Sequence, residues 1–126
     1  MKLSEAIRLG AAITEQEYGA FFRQIDDRVV ATCALGGAAL AAGIPIRCSS
    51  EQNIYDKWPI IRRLSTHPLR NIRWSMGIII AILNDTDRWS REKIADWVEM
   101  QEMEMELNAQ PDSETEVTFC VGQENS

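Results

Sequence analysis

The longest uncharged stretch of the chain constrains its fold most strongly. Residues 29–46 include no charged side chain, and six of these 18 residues are alanine and three are glycine. Because Pro45 follows Gly43 and ends any helix, a helix over residues 31–42 would measure about 18 Å, whereas a bilayer core is about 30 Å thick. We therefore predict a buried central helix of a soluble protein, with no membrane partner.

Small residues recur at helical spacing within this stretch. Ala34, Ala38 and Ala42 lie four apart, as do Gly37 and Ala41. Such a face lets a second backbone approach closely, either within the chain or in a dimer. We favour packing in the core of the same chain and keep a dimer face as the alternative.

The best-defined helix start is Ser90. A serine can cap the free amides of a first helical turn, and Trp89 before it can pack on Ile94 as a hydrophobic staple. Ile94, Trp97 and Val98 then form a buried stripe at helical spacing. We predict that these first turns hold the fold together.

Beyond Glu99 the pattern of this helix changes. Met100, Met103 and Leu107 project from the side opposite to the buried stripe, and glutamates occupy most of the remaining positions. Methionine adapts to irregular partner surfaces. We predict that this continuation contributes little to the core and contacts another chain.

Periodicity and turn residues predict the other elements. They are a helix capped by Ser4, a second short helix over 18–25, a turn at Asp26 and Asp27, a polar surface connection over 47–58 and a short helical turn after Pro59. The apolar run over 72–83 suits a buried strand as well as a helix, and its length favours a buried helix with Trp74 and Ile78 on one face. The expected fold is mainly α, a compact bundle of four to five helices, to which residues 117–121 could add a short C-terminal strand. We expect a helical domain over 1–107 and a polar C-terminal tail over 108–126.

Charge is distributed unevenly along the chain. Residues 51–91 carry seven basic and four acidic side chains, whereas residues 92–126 carry one basic and ten acidic ones. Both could be solvated surfaces, or they could pair within the chain or between two copies. The candidate partner-binding residues are Met100, Met103, Glu102, Glu104, Glu106 and Leu107. The candidate basic patch is Arg62, Arg63, Arg70 and Arg73.

The residues that could carry catalysis are few. Cys33, Cys48 and Cys120 are odd in number and widely spaced, which is typical of free thiols in the cytoplasm. His67 stands before a proline in a basic segment and reads as a surface residue. We therefore predict no enzyme activity, no cofactor and no metal site, and a place in the cytoplasm of a host cell.

Three blocks of the sequence resemble small, uncharacterised phage, prophage and metagenomic proteins. The blocks are LSEAIRLG over 3–10, CALGGAA over 33–39, and LND over 83–85 followed by WSREKIADWVE over 89–99. Many of these relatives carry a Cys-Pro-x-Cys pair between the second and third blocks. The corresponding stretch here, 64–70, reads LSTHPLR and has no cysteine, so a metal site does not carry over. The resemblance implies a viral or mobile-element origin.

These observations favour a non-catalytic interaction protein of phage or prophage type. Its expected partner is a host or viral protein, in an anti-defence or takeover role, and it could also form a homodimer. One alternative is a nucleic-acid-associated regulator that uses the basic 57–73 segment, although the net charge of −6 disfavours nucleic acid. A thiol-dependent or metal-dependent enzyme is the third alternative.

Overall fold

The computed structural model describes residues 1–44 and 51–109 of the 126-residue chain. Its helices are α1 (Leu3–Ile13), α2 (Ala34–Ala41), α3 (Glu51–Lys57), α4 (Met76–Asp85) and α5 (Arg91–Ala109), with a 3₁₀ turn at Pro59–Arg62. Its strands are β1 (Glu15–Gln16), β2 (Phe22–Ile25), β3 (Arg28–Thr32), β4 (Leu64–Thr66) and β5 (Arg73–Ser75). The protein is therefore an α+β mixture, and the predicted mainly α bundle is wrong. The predicted strand over 117–121 lies outside the described residues.

A three-stranded sheet replaces the helix predicted over 18–25. Its order is β1-β3-β2, with β1 parallel and β2 antiparallel to β3. The predicted turn at Asp26 and Asp27 is confirmed, but it joins two strands. Both aspartates have positive φ, 51° and 65°, as the tightest hairpin turns require. Phe22 and Ile25 fit a strand as well as a helix, so the turn geometry decides between them.

A second, two-stranded sheet divides the apolar run over 72–83. Strand β5 pairs antiparallel with β4, Ser65 opposite Trp74, and α4 begins directly after it at Met76. The helix prediction is confirmed only from Met76 onward, because residues 73–75 form a strand. Trp74 and Ile78 therefore do not share one helix face. Trp74 and Ile78 are 43% and 48% exposed. The side chains that α4 buries include Ile79, Ile80 and Leu83.

Two other local predictions also fail, whereas the 3₁₀ turn after Pro59 is confirmed. The polar connection over 47–58 contains helix α3, and its residues 47–50 lie outside the described part of the chain. Helix α1 is capped by Lys2 instead of Ser4. The Glu5 carboxylate accepts a hydrogen bond from the Lys2 backbone N–H at 2.9 Å, which satisfies one free donor of the first turn. Ser4 is consequently inside the helix and buried.

The small-residue helix packs in the core, as predicted. Helix α2 begins at Ala34 and not at residue 31, because Ala31 and Thr32 belong to β3. A Cβ atom added to Gly10 of α1 would overlap the Gly37 carbonyl, so the two backbones touch here. The stripe of small residues is thus used within the chain. Gly43, with φ of 81°, follows the end of α2 as predicted.

The start of α5 matches its prediction. The Ser90 hydroxyl accepts a hydrogen bond from the Lys93 backbone N–H at 3.1 Å, which is the predicted N-cap. Ile94, Trp97 and Val98 join the main core, and Trp89 packs against the same core.

A buried arginine connects this helix start to α1 and β3. Arg91 is only 6% exposed. Its guanidinium donates to the hydroxyls of Thr14 and Thr32 at 2.7 and 3.1 Å, and to the backbone carbonyls of Thr14 and, at 3.4 Å, Ala11. Burial lowers the pKa of Arg91, yet an arginine stays charged in proteins. The negative end of the α1 dipole therefore faces a buried positive charge, which is a favourable arrangement.

We predict that Arg91→Met destabilises the fold by about 3 kcal/mol, because it leaves several buried hydroxyl and carbonyl groups unpaired. The free energy of unfolding in urea measures this loss. Arg28→Met is the matched control, since Arg28 is an exposed arginine of β3. Equal stability of the two variants would contradict the structural role given to Arg91.

Candidate interaction site

Helix α5 is tied to α1 by a ladder of polar contacts. Positions ascend along α1 as they descend along α5, so the two helices run antiparallel. The contacts join Lys2 to Glu106 at 2.8 Å, Ser4 to Glu102, and Arg8 to Asp96 and Glu99 at 2.7 and 2.6 Å. Four of the six acidic side chains of α5 therefore have a partner within the chain.

Glu102 occupies the centre of this ladder. It is 8% exposed, and its carboxylate accepts from the Ser4 hydroxyl at 2.6 Å and from the Ser4 backbone N–H at 3.2 Å. The amides of a first helical turn have no partner within the helix, and they form the positive end of its dipole. Glu102 thus caps α1 from another helix. Its carboxylate is therefore engaged within the fold.

The outer face of α5 presents three large apolar side chains. Met100, Met103 and Leu107 are 61%, 54% and 66% exposed. Their spacings of three and four residues place them in one row along the helix, directly opposite Ile94 and Val98. We call these three residues the methionine stripe. Of the other predicted partner-binding residues, Glu104 is exposed beside the stripe and Glu106 is paired with Lys2.

Two of the four predicted basic-patch residues are engaged within the chain. Arg70 makes a two-pronged ion pair with Asp87, at 2.9 and 2.8 Å. Arg62 lies over the Tyr55 ring, 4.9 Å from its centroid, and donates to the Gln52 side chain at 3.3 Å. Both arginines therefore make contacts within the chain.

His67 is buried, contrary to the prediction of a surface residue. It is 2% exposed, and its Nδ1 accepts from the backbone N–H groups of Leu69 and Arg70 at 3.0 and 3.2 Å. This assigns the ring proton to Nε2, which donates to Asp87 at 2.9 Å. His67 therefore closes the β4-β5 loop and attaches it to the connection between α4 and α5. No local sequence signal joins His67 to a carboxylate 20 residues later.

The other two basic-patch residues meet at a cavity of about 270 Å³, between the β4-β5 hairpin and α5. Arg63 and Arg73 line it from the hairpin, together with Ser65 and Thr66; Gln101 and Glu104 line it from α5. We call it the arginine pocket. Within the described residues, neither arginine side chain has a hydrogen bond or ion pair. Side chains from the basic segment 51–91 and from the acidic segment 92–126 thus meet at this cavity.

The Cys33 thiol forms the N-cap of α2. Its sulfur accepts from the Gly36 backbone N–H at 3.3 Å, so the thiol caps α2, and burial raises its pKa. Cys48 and Cys120 lie outside the described residues. Over residues 1–44 and 51–109, no three His, Cys, Asp or Glu side chains are grouped so that they could hold a metal ion.

Comparison with protein-family models, with curated proteins and with solved structures gives no significant match. The resemblance to phage and prophage proteins therefore stays a prediction. Among the described residues, no helix is long and apolar enough to span a bilayer.

The Arg70 ion pair predicts a pH-dependent contribution to stability. Arg70 lowers the pKa of Asp87 in the folded protein, so the pair stabilises the fold above the unfolded pKa of about 3.9 and stops doing so as the pH falls through the folded value. We expect Arg70→Gln to lose stability at pH 7, and the difference from wild type to shrink below about pH 4.

Urea unfolding at neutral and acidic pH measures this difference. Arg73→Gln is the control, because Arg73 lies on the same hairpin and has no ion pair with a described residue. A difference between wild type and Arg70→Gln that is the same at both pH values would refute the assignment.

Proposed function

We propose that the protein is a non-catalytic interaction protein of phage or prophage type, which binds a host or viral protein through the methionine stripe. The observation that carries this proposal is the exposure of Met100, Met103 and Leu107 in one row on the outer face of α5. Contiguous exposed apolar side chains with polar borders are typical of binding surfaces.

The stripe has the chemistry of a helix that lies in a groove. Anchors at positions i, i+3 and i+7 are the spacing by which an amphipathic helix fills an apolar groove. Burying a large apolar side chain completely contributes about 1.5–3 kcal/mol, so three anchors can support a specific complex. Two of the three are methionines, whose flexible thioethers adapt to the shape of the groove.

Charge favours a different protein over a second copy as the occupant. Glu99 and Glu104 flank the stripe, and α5 as a whole carries six acidic and two basic side chains. Two such helices facing each other would set like charges side by side, which is unfavourable. The partner that fits is a protein with an apolar groove bordered by lysine and arginine.

The biological setting of the proposal rests on the three sequence blocks that resemble phage and prophage proteins. Such a protein would act in the cytoplasm of the host, in an anti-defence or takeover role. The methionine stripe is the surface through which we propose that it does so. Arg70 and Arg62 are engaged within the chain and Glu104 lies beside Arg63 and Arg73, so a nucleic-acid interface over 57–73 has less support.

We predict that the double variant Met103→Gln, Leu107→Gln weakens partner binding about tenfold or more, since both anchors lose their apolar contact area. The measurement is capture from host lysate with immobilised wild type, followed by binding curves for the purified partner. Leu9→Gln is the matched control, because Leu9 is also a half-exposed helical leucine but belongs to α1.

The oligomeric state separates the two possible occupants. We expect wild type to sediment as a monomer, with the stripe free. A dimer that the double variant abolishes would show that a second copy occupies the stripe, and a captured partner that binds the double variant as tightly as wild type would refute the proposal.

A further inference from the structure

The arginine pocket has uncommitted positive charge. Arg63 directly precedes β4, and Arg73 begins β5, opposite Thr66 in the hairpin register. The register therefore places Arg73 at the loop end of the hairpin and Arg63 at its open end, where the Arg63 carbonyl accepts from the Met76 backbone N–H at 2.8 Å. Both arginines line the cavity that lies along the hairpin. Each guanidinium carries five N–H donors in a planar fork, and within the described residues none of them has a protein acceptor.

Ser65 provides a second, independent observation. It is 5% exposed and lines the same cavity, yet its hydroxyl has no hydrogen bond to a described residue. A buried hydroxyl without a partner is costly, and such groups in folded proteins usually receive one from a ligand or a bound water. The pocket thus combines an unpartnered buried donor with two unpartnered cations.

We propose that the arginine pocket binds a small oxyanion, a phosphate or carboxylate group, with Arg63, Arg73 and Ser65 as its hydrogen-bond donors. Both groups match the fork geometry of a guanidinium, and charge-assisted hydrogen bonds of this kind are the strongest that side chains make. A guanidinium is also more weakly hydrated than the ammonium group of lysine, which lowers the cost of displacing water when an anion binds.

Glu104 limits the size and charge of the ligand. Its carboxylate on the α5 wall leaves the pocket with two positive charges and one negative charge. A polyanion such as a nucleic acid would meet this repulsion, whereas a compact anion can lie on the arginine side. The cavity of about 270 Å³ is large enough to admit such an anion. The proposal for this pocket does not depend on the function proposed for the methionine stripe.

The test is a titration of the full chain with inorganic phosphate and, separately, with acetate at low ionic strength, followed by amide chemical shifts. We expect saturable shifts centred on residues 63–66 and 73. Arg63→Gln and Arg73→Gln should each weaken binding about tenfold, and Ser65→Ala several-fold, because each removes donors to the anion. Glu104→Gln should strengthen binding, since it removes the opposing charge.

Arg28→Gln is the control, because Arg28 is an exposed arginine on the other sheet and should leave binding unchanged. The ratio of the phosphate and acetate affinities identifies which oxyanion the pocket prefers. The proposal is overturned if neither anion binds wild type or Glu104→Gln at millimolar concentration. It is also overturned if Arg63→Gln and Arg73→Gln bind as wild type does, which would indicate nonspecific attraction.

Discussion

The buried guanidinium of Arg91 is the interaction on which the arrangement of this fold depends. A charge removed from water is tolerated only where hydrogen bonds replace its hydration, and here the acceptors come from the end of α1 and from Thr32 of β3. Because Arg91 is the first residue of α5, these bonds fix both the position and the rotation of that helix. The rotation decides which residues face the core, and thereby makes Met100 and Met103 face outward.

Glu102 fixes the other half of the same helix. The sequence predicts that α5 contributes little to the core beyond Glu99, and among the described residues the hydrophobic core indeed includes none after Val98. The buried contact between Glu102 and Ser4 nevertheless ties this part of the helix to α1. Helix α5 is thus held at two points, 11 residues or about 16 Å apart. A helix anchored twice along its inner face presents its outer face as a rigid surface. Binding of a partner would then cost little conformational entropy in this chain, and a smaller entropic cost favours affinity.

Local rules predicted the parts of the fold that local interactions determine. The Ser90 cap, the buried Ile94 and Trp97, and the glycine after α2 follow from neighbouring residues and are all observed. The sheets could not be found in this way, because their strands have only two to five residues, which is too short for a clear alternating pattern. At the candidate site, the common face of Met100, Met103 and Leu107 could be predicted from their spacing in the sequence. The burial of Glu102 could not, since Ser4 lies 98 residues away.

The uneven charge of the sequence indicates possible binding residues only when the side chains that pair within the chain are left out. Arg70 is committed to Asp87 and Glu102 to Ser4, so neither is free to recognise a ligand without loosening the fold. Arg63, Arg73 and Glu104 remain without an ion pair among the described residues, and they line one cavity. Glu104 also borders the methionine stripe. The uncommitted charges and the exposed apolar row therefore adjoin at Glu104 of α5, and this is where we propose that the protein recognises its ligands.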